Sequence, residues 1–380
     1  MKKDKAVKAL NIALKIAKPN SVFPFVELTG DHLVANNGEV AIELEFPVDL
    51  DFPVACDATM LKNSIAGIRD KELSIEYKND ALYINDKVRV PLYGKEGAIA
   101  RPLHAGLKKE SGYVRLSDKF SQYYKETTPH RGVDKTRPAM MCAYLAPDGG
   151  LWATNAHTAV MIEGVGAAHD TDVLNREELR VTEQGVLIPT LPCDFLPDAT
   201  LEAYIADYEE MDCGKEVTRY HRVYVIEDAE KRFYFKRMSR HDHRYPQIPS
   251  VVPLRESIPT FITLKADDLI DVLKESLAAV GKIPAGVFTS TVGSLQLECA
   301  NIDLDAEYIS SVPASIVSSY ELTDERRFGI NRELMLNCLQ SFKGQKIEIG
   351  YSQPKHPILF FSEARPELTC VCMPVMIGNY

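Results

Sequence analysis

Apolar positions along the 380 residues follow two rhythms, and each change of rhythm marks an element. Helical spacing puts Val7, Leu10, Leu14 and Ala17 on one face of residues 4–18, with Lys8, Asn11, Lys15 and Lys18 opposite, before Pro19 stops the helix. Alternation then predicts strands at 23–28, 31–35, 39–47 and 53–56, a helix 58–68 capped by Asp57, and strands at 72–78 and 81–93. Residues 94–111, with Gly94, Gly97, Pro102 and Gly106, read as a linker. The second run predicts a strand 113–116, a helix capped by Ser117 and ending near Pro129, strands 138–146, 150–154, 157–163 and 185–189, a short helix 191–197, and strands 217–226 and 231–239. The proline-rich stretch from Tyr245 to Pro253 reads as a junction. The third run predicts strand 259–264, helix 266–280, strands 286–290, 294–299, 303–310 and 326–330, helix 332–342, and strands 346–351, 357–362 and 368–376.

The chain also echoes itself. Leu61 to Ile68 and Leu73 to Tyr77 return as Met335 to Phe342 and Ile347 to Tyr351, at a constant offset of 274 (61 to 335, 77 to 351). A weaker echo sets Asn37, Asn155 and Asn301 after short apolar strands, 118 and 146 residues apart. Together they imply an α+β chain of three related domains, bounded at 1–110, 111–254 and 255–380, each with two helices packed on antiparallel sheets.

Composition narrows the chemistry. No apolar run reaches the ~18 residues that span a membrane, and the lysine-rich start lacks the apolar stretch of a secretory signal. Eight cysteines with no CxxC pair read as reduced, mostly buried thiols in a cytoplasmic protein. A net charge of −10 argues against coating nucleic acid, yet Lys2, Lys3, Lys5, Lys8, Lys15 and Lys18 face only Asp4 over the first 18 residues, while 202–216 is acidic. His241 and His243 invite a metal, with Glu227 or Asp228 alongside, but no further ligand has suitable spacing, so no metal or cofactor is expected. Lys231 to Arg237 reads as a sheet strand with basic ends rather than a base-stacking strand. No P-loop, GxGxxG or nucleophile elbow appears. An enzyme on a repeated α+β scaffold, holding a metal or metabolite near His157, Asn155 or His241 and His243, is the alternative reading.

Four stretches carry a resemblance to the bacterial sliding-clamp family, the beta subunit of DNA polymerase III. Ala153-Thr154-Asn155-Ala156-His157 resembles its Ala-Thr-Asp-Gly-His turn, and Tyr245-Pro246 through Pro253 its Phe-Pro linker. Phe328-Gly329-Ile330-Asn331 resembles the entry to its last helix, and Val371-Cys372-Met373-Pro374-Val375 its Met-Pro tail. The resemblance implies three clamp domains in a crescent, closed head-to-tail with a second copy into a ring around duplex DNA, without catalysis. It implies that polymerase and clamp-loader peptides dock in a groove at Met140, Thr154, Ala156, His157, Thr158, Ala159, Pro246, Ser250, Val251, Val371, Cys372, Met373, Pro374, Val375 and Met376. Thr158, Ser250 and Met376 stand where the family has arginines and Ala156 where it has glycine, which implies a less acidic peptide. Lys8, Lys15, Lys62, Arg69, Tyr123, Lys125, Arg131, Lys135 and Arg137 are the expected DNA-facing residues.

Overall fold

The structure, a computed structural model, describes all residues except 20–22, 47, 49, 51, 94–106, 169–184, 192–198, 213–214, 237–244, 282–284, 319–325, 354 and 377–380. All of the expected helix 191–197 but Leu191, and most of the expected linker, fall outside the described residues.

The first third holds α1 (Lys3–Ala13), β1 (Phe25–Thr29), β2 (His32–Asn36), β3 (Val40–Glu45), β4 (Val54–Asp57), α2 (Ala58–Gly67), β5 (Ile75–Lys78), β6 (Ala81–Ile84) and β7 (Val88–Pro91). The middle holds β8 (Lys108–Leu116), α3 (Phe120–Thr127), β9 (Ala143–Leu145), β10 (Leu151–Thr154), β11 (Thr158–Ile162), β12 (Gly166–Ala168), β13 (Val186–Ile188), β14 (Thr200–Asp212), β15 (Lys215–Glu227) and β16 (Lys231–Lys236). The last third holds β17 (Thr260–Lys265), α4 (Ala266–Val280), β18 (Gly286–Thr291), β19 (Ser294–Asn301), β20 (Ala306–Pro313), β21 (Ser315–Ser318), β22 (Arg326–Ile330), α5 (Arg332–Gln340), β23 (Lys346–Tyr351), β24 (Ile358–Phe361) and β25 (Leu368–Cys372).

Two compact units result, residues 1–121 with 166–239, and residues 122–165 with 240–380. In the first, an antiparallel sheet runs β12-β8-β14-β15-β16-β3-β2-β1-β4, beside a three-stranded sheet β5-β6-β7. In the second, a sheet runs β9-β10-β11-β25-β24-β23-β17-β21, beside β20-β19-β18-β22. The middle third therefore gives strands to both units. In the first unit it joins the preceding segment through β16 and β3, where Lys231 pairs with Leu44 and Phe235 with Val40. In the second it joins the following segment through β11 and β25, where Thr158 pairs with Cys372 and Ile162 with Leu368.

Both echoes have structural causes. Asp57 and Asn331 cap α2 and α5 by accepting from backbone amides of the first turn. The equivalent pairs Leu61 and Met335, Ile65 and Leu339, and Ile75 and Ile349 are all buried. Asn37, Asn155 and Asn301 each accept from the amides two and three residues on, Glu39 and Val40, His157 and Thr158, Asp303 and Leu304. One side-chain-capped turn thus follows a strand in each third of the chain.

Several expectations need correction. The first helix ends at Ala13 and buries Ala6, Ala9, Leu10 and Ala13; of the expected face Leu10 and Ala17 are buried, while Val7 and Leu14 are only half-buried. Small alanines let α1 lie close against α2, which buries Ala58, Leu61 and Ile65. The strand expected at 81–93 is two, because Asn85 and Asp86 turn with φ of 50° and 52°. The strand expected at 138–146 opens as a 3-10 turn, Pro138–Met141. The strand expected at 303–310 starts later, because Asn301 caps a 3-10 turn over Ile302–Leu304. The ribbon strand β14 was hidden by its charges, and the short β12 and β21 by their length. Phe233, Tyr234 and Phe235 are buried in β16 between β15 and β3, as a sheet strand requires. No helix among the described residues is long and apolar enough to cross a membrane.

Ala13 is fully buried. Ala13→Leu is expected to overpack α1 and to lower stability by about 1–3 kcal/mol in urea unfolding.

Candidate peptide-docking site and basic surfaces

The second unit gathers three distant stretches around the turn at Asn155. Thr154 pairs with Ala159 across β10 and β11, and Thr158 pairs with Cys372 across β11 and β25. The Met373 amide donates to the His157 carbonyl at 2.8 Å, so the segment after β25 continues alongside the turn. Two residues on, the Val375 amide donates to the Gly329 carbonyl at 2.9 Å. From the other side, the Tyr245 ring stacks on Tyr144 with centroids 4.7 Å apart, and its hydroxyl donates to the Trp152 carbonyl at 3.4 Å. That anchors the start of the Pro246 to Val251 segment beside β10.

The expected groove residues divide by burial. Met140, Thr154, Thr158, Ala159, Val371 and Cys372 are buried and form the underlying packing, which corrects their expected role as contact residues. Ala156, His157, Pro246, Ser250, Val251, Met373, Val375 and Met376 are exposed, and Pro374 is half-buried. Val251 is 61% and Met376 64% exposed, a large apolar display on the surface. Leu254, which directly follows that proline-rich segment, is 75% exposed and stood outside the expected groove residues. Its only signal is an apolar residue beside prolines outside any periodic run.

Polar groups underneath fix the turn. Thr158 Oγ1 lies 3.0 Å from His130 Nδ1, and Asn155 Oδ1 accepts from the Thr158 amide at 2.8 Å. His130 is buried, its Nε2 has no hydrogen-bond partner, and burial lowers its pKa to about 4. Ala156 holds φ of 73°, in the left-handed region. Gly38, which likewise follows the turn asparagine Asn37, holds φ of 89°. The glycine position of this turn is therefore occupied by a residue with a Cβ.

The basic residues divide between units. In the first, Lys8, Lys15 and Arg69 are exposed and Lys62 is half-buried. In the second, Lys125, Lys135 and Arg137 are exposed. Arg131 and Tyr123 depart from the expected DNA-facing role. Arg131 is buried over the Tyr124 ring at 4.1 Å, and its guanidinium donates to Thr127 Oγ1 at 2.6 Å and to the Tyr124 carbonyl at 3.0 Å. Tyr123 is buried and donates to Glu367 at 3.3 Å, while Arg365 bonds both Glu126 at 2.8 Å and Glu367 at 3.0 Å. Burial, with Glu367 beside it, raises the Tyr123 pKa and keeps the hydroxyl protonated.

The alternative enzyme site gathers no such geometry among the described residues. Asn155 spends its side-chain oxygen on the turn, and no group of three or more His, Cys, Asp or Glu there could hold a metal ion. His241, Asp242 and His243 lie outside the described residues.

No family model matches the sequence, and no curated protein does. Solved structures do match over the whole chain. The DNA polymerase sliding clamp of Bacillus subtilis is 13% identical with a TM-score of 0.75, covering 99% of this chain and 98% of that one. The DNA polymerase III subunit beta of Bartonella birtlesii, solved bound to griselimycin, is 15% identical with a TM-score of 0.76, covering 99% of each chain. The beta subunit of Thermotoga maritima is 13% identical with a TM-score of 0.72, covering 100% of this chain and 99% of that one. The chain has the α+β fold of these sliding clamps.

Two outcomes follow from the turn. Between pH 6.5, the ordinary value for histidine, and about 4, the unfolded chain holds more protons than the folded one, so stability falls as pH falls. His130 is expected to account for up to roughly 3 kcal/mol of that loss, and His130→Asn should flatten the dependence of the urea midpoint on pH. A left-handed alanine costs about 1–2 kcal/mol, partly offset in glycine by the entropy of the unfolded chain. Ala156→Gly is expected to raise stability by roughly 0.5–1 kcal/mol in the same assay.

Proposed function

We propose that the chain is a DNA sliding clamp, a non-catalytic processivity factor that encircles duplex DNA and tethers polymerase and other partners. The likeness to solved sliding clamps along the entire length carries the reading. The three asparagine-capped turns support three domains with boundaries at 1–110, 111–254 and 255–380.

Two copies close head-to-tail, an edge of the first domain's three-stranded sheet meeting β20 of the partner. Support comes from β20 being an edge strand, with Ile302, Leu304 and Ile309 exposed by 87%, 62% and 64% on and just before it. Enclosure removes the need for tight contact. Exposed lysines and arginines such as Lys8, Lys15, Arg69, Lys125, Lys135 and Arg137 meet phosphates weakly and without reading sequence, so the ring slides.

Partner peptides dock beside the Asn155 turn. Val251, Met373, Val375 and Met376 offer adaptable apolar surface. Two buried anchors of about 1.5–3 kcal/mol each, less the cost of ordering the peptide, give affinities on the order of micromolar. Thr158 is buried and its hydroxyl bonded, so it supplies neither charge nor a free donor, in keeping with a weakly acidic partner.

Protein assembled on nicked circular DNA is expected to stay bound through gel filtration and to be released when the circle is linearised. Equal retention on linear and circular DNA would contradict enclosure. Met373→Ala with Pro374→Ala is expected to weaken binding of a fluorescent clamp-binding peptide at least tenfold while leaving DNA retention unchanged.

A further inference from the structure

The first helix of the first third and the first helix of the last third differ in charge. Both are followed by four strands or more, then by a second helix packed on the first, α2 on α1 and α5 on α4. On α1 the outward residues include Lys5 and Lys8, with Lys2 at the N-cap and only Asp4 against them. Lys5 shares its charge with Glu45 at 2.7 Å. Lys3 turns away and donates to the Ala66 and Ile68 carbonyls at the end of α2, a capping role.

On α4 the buried face is Ala266, Leu269, Ile270, Val272, Leu273, Ser276 and Val280. The outward stripe is Asp268, Asp271 and Glu275, at spacings of three and four, with Lys274 the one cation on the helix. Helix polarity accounts for carboxylates in the first turn, Asp267 and Asp268, and Asp267 also accepts from the Gly344 amide. It does not account for Asp271 or Glu275, which both lie beyond that turn. Glu275 accepts from the Tyr308 hydroxyl at 2.9 Å, a bond that leaves its charge in place. Lys274 approaches Asp271 only to 3.9 Å, too loosely to cancel it.

We infer, resting on the clamp reading above, that duplex DNA is held at the lysine face of α1 and repelled from the carboxylate face of α4. Each protomer then offers DNA one attractive and one repulsive helix, so attachment is one-sided. Attraction at α1 limits lateral wandering, and repulsion at α4 keeps total affinity low enough for movement. Because the relevant groups are exposed, salt screens both effects.

The test compares three proteins on nicked circular DNA across a salt series: wild type, Lys2→Glu with Lys8→Glu, and Asp268→Asn with Asp271→Asn. Thermal melts check that the exposed substitutions leave folding unchanged. The α1 pair is expected to shorten retention about tenfold and to flatten the logarithmic salt dependence by about 0.9 per lost phosphate contact. The α4 pair is expected to lengthen retention several-fold at low salt, with the gain vanishing at high salt. Wild type retained on circles with an unchanged or shortened lifetime for the α4 pair would overturn this inference and leave the clamp reading standing. Wild type released equally from circles and linear DNA would overturn both.

Discussion

The antiparallel pairing of β11 with β25 is the constraint on which the rest of the second unit depends. Five residue pairs, from Thr158 with Cys372 to Ile162 with Leu368, join strands more than two hundred positions apart in sequence. The pairing fixes register, and a slip of one residue would turn Met373 and Val375 to the opposite face. The apolar display beside the Asn155 turn follows from that register rather than from any local motif. The pairing of β16 with β3 joins segments in the first unit in the same way, with Phe233 and Phe235 buried on the joining strand. Lateral extension of sheets is thus the device that binds successive thirds of the chain.

Polar groups hold these junctions in place. Arg365 bridges Glu126 and Glu367 beneath the Tyr123 ring, tying α3 to the turn before β25. A buried ion pair of this kind is worth little as net stability, because desolvation opposes the attraction, but removing one partner leaves a buried charge. Arg131 does comparable work on the other side of α3 through Tyr124 and Thr127. Both arginines are spent on fixing a helix.

Much of the fold was legible in the chain because its signals are local. Period-two alternation located β17, β18, β22 and β23 to within a residue, and helical spacing gave α4 at its observed bounds. The asparagine echo, the thinner of the two repeats, proved to be one hydrogen-bonded turn used three times. What the chain concealed depends on tertiary context. The alanine face of α1 is less hydrophobic than the Val7 and Leu14 alternative, and only the close approach of α2 makes it the buried one. Arg131 reads as a surface cation until the aromatic ring and hydroxyls that surround it are brought together by folding. In the same way the candidate docking site was half legible: its stretches could be named, but which of their residues are buried (Met140, Val371, Cys372) and which exposed (Met373, Met376) could not.

As the clamp proposed above, an acidic chain of net charge −10 would owe its hold on DNA to enclosure rather than to charge. Direct imaging of purified particles by negative-stain electron microscopy tests that claim most simply. An annulus with an open centre, built from two chains of 42.5 kDa, is expected. Solid particles without a central opening, or single chains at all concentrations, would contradict it.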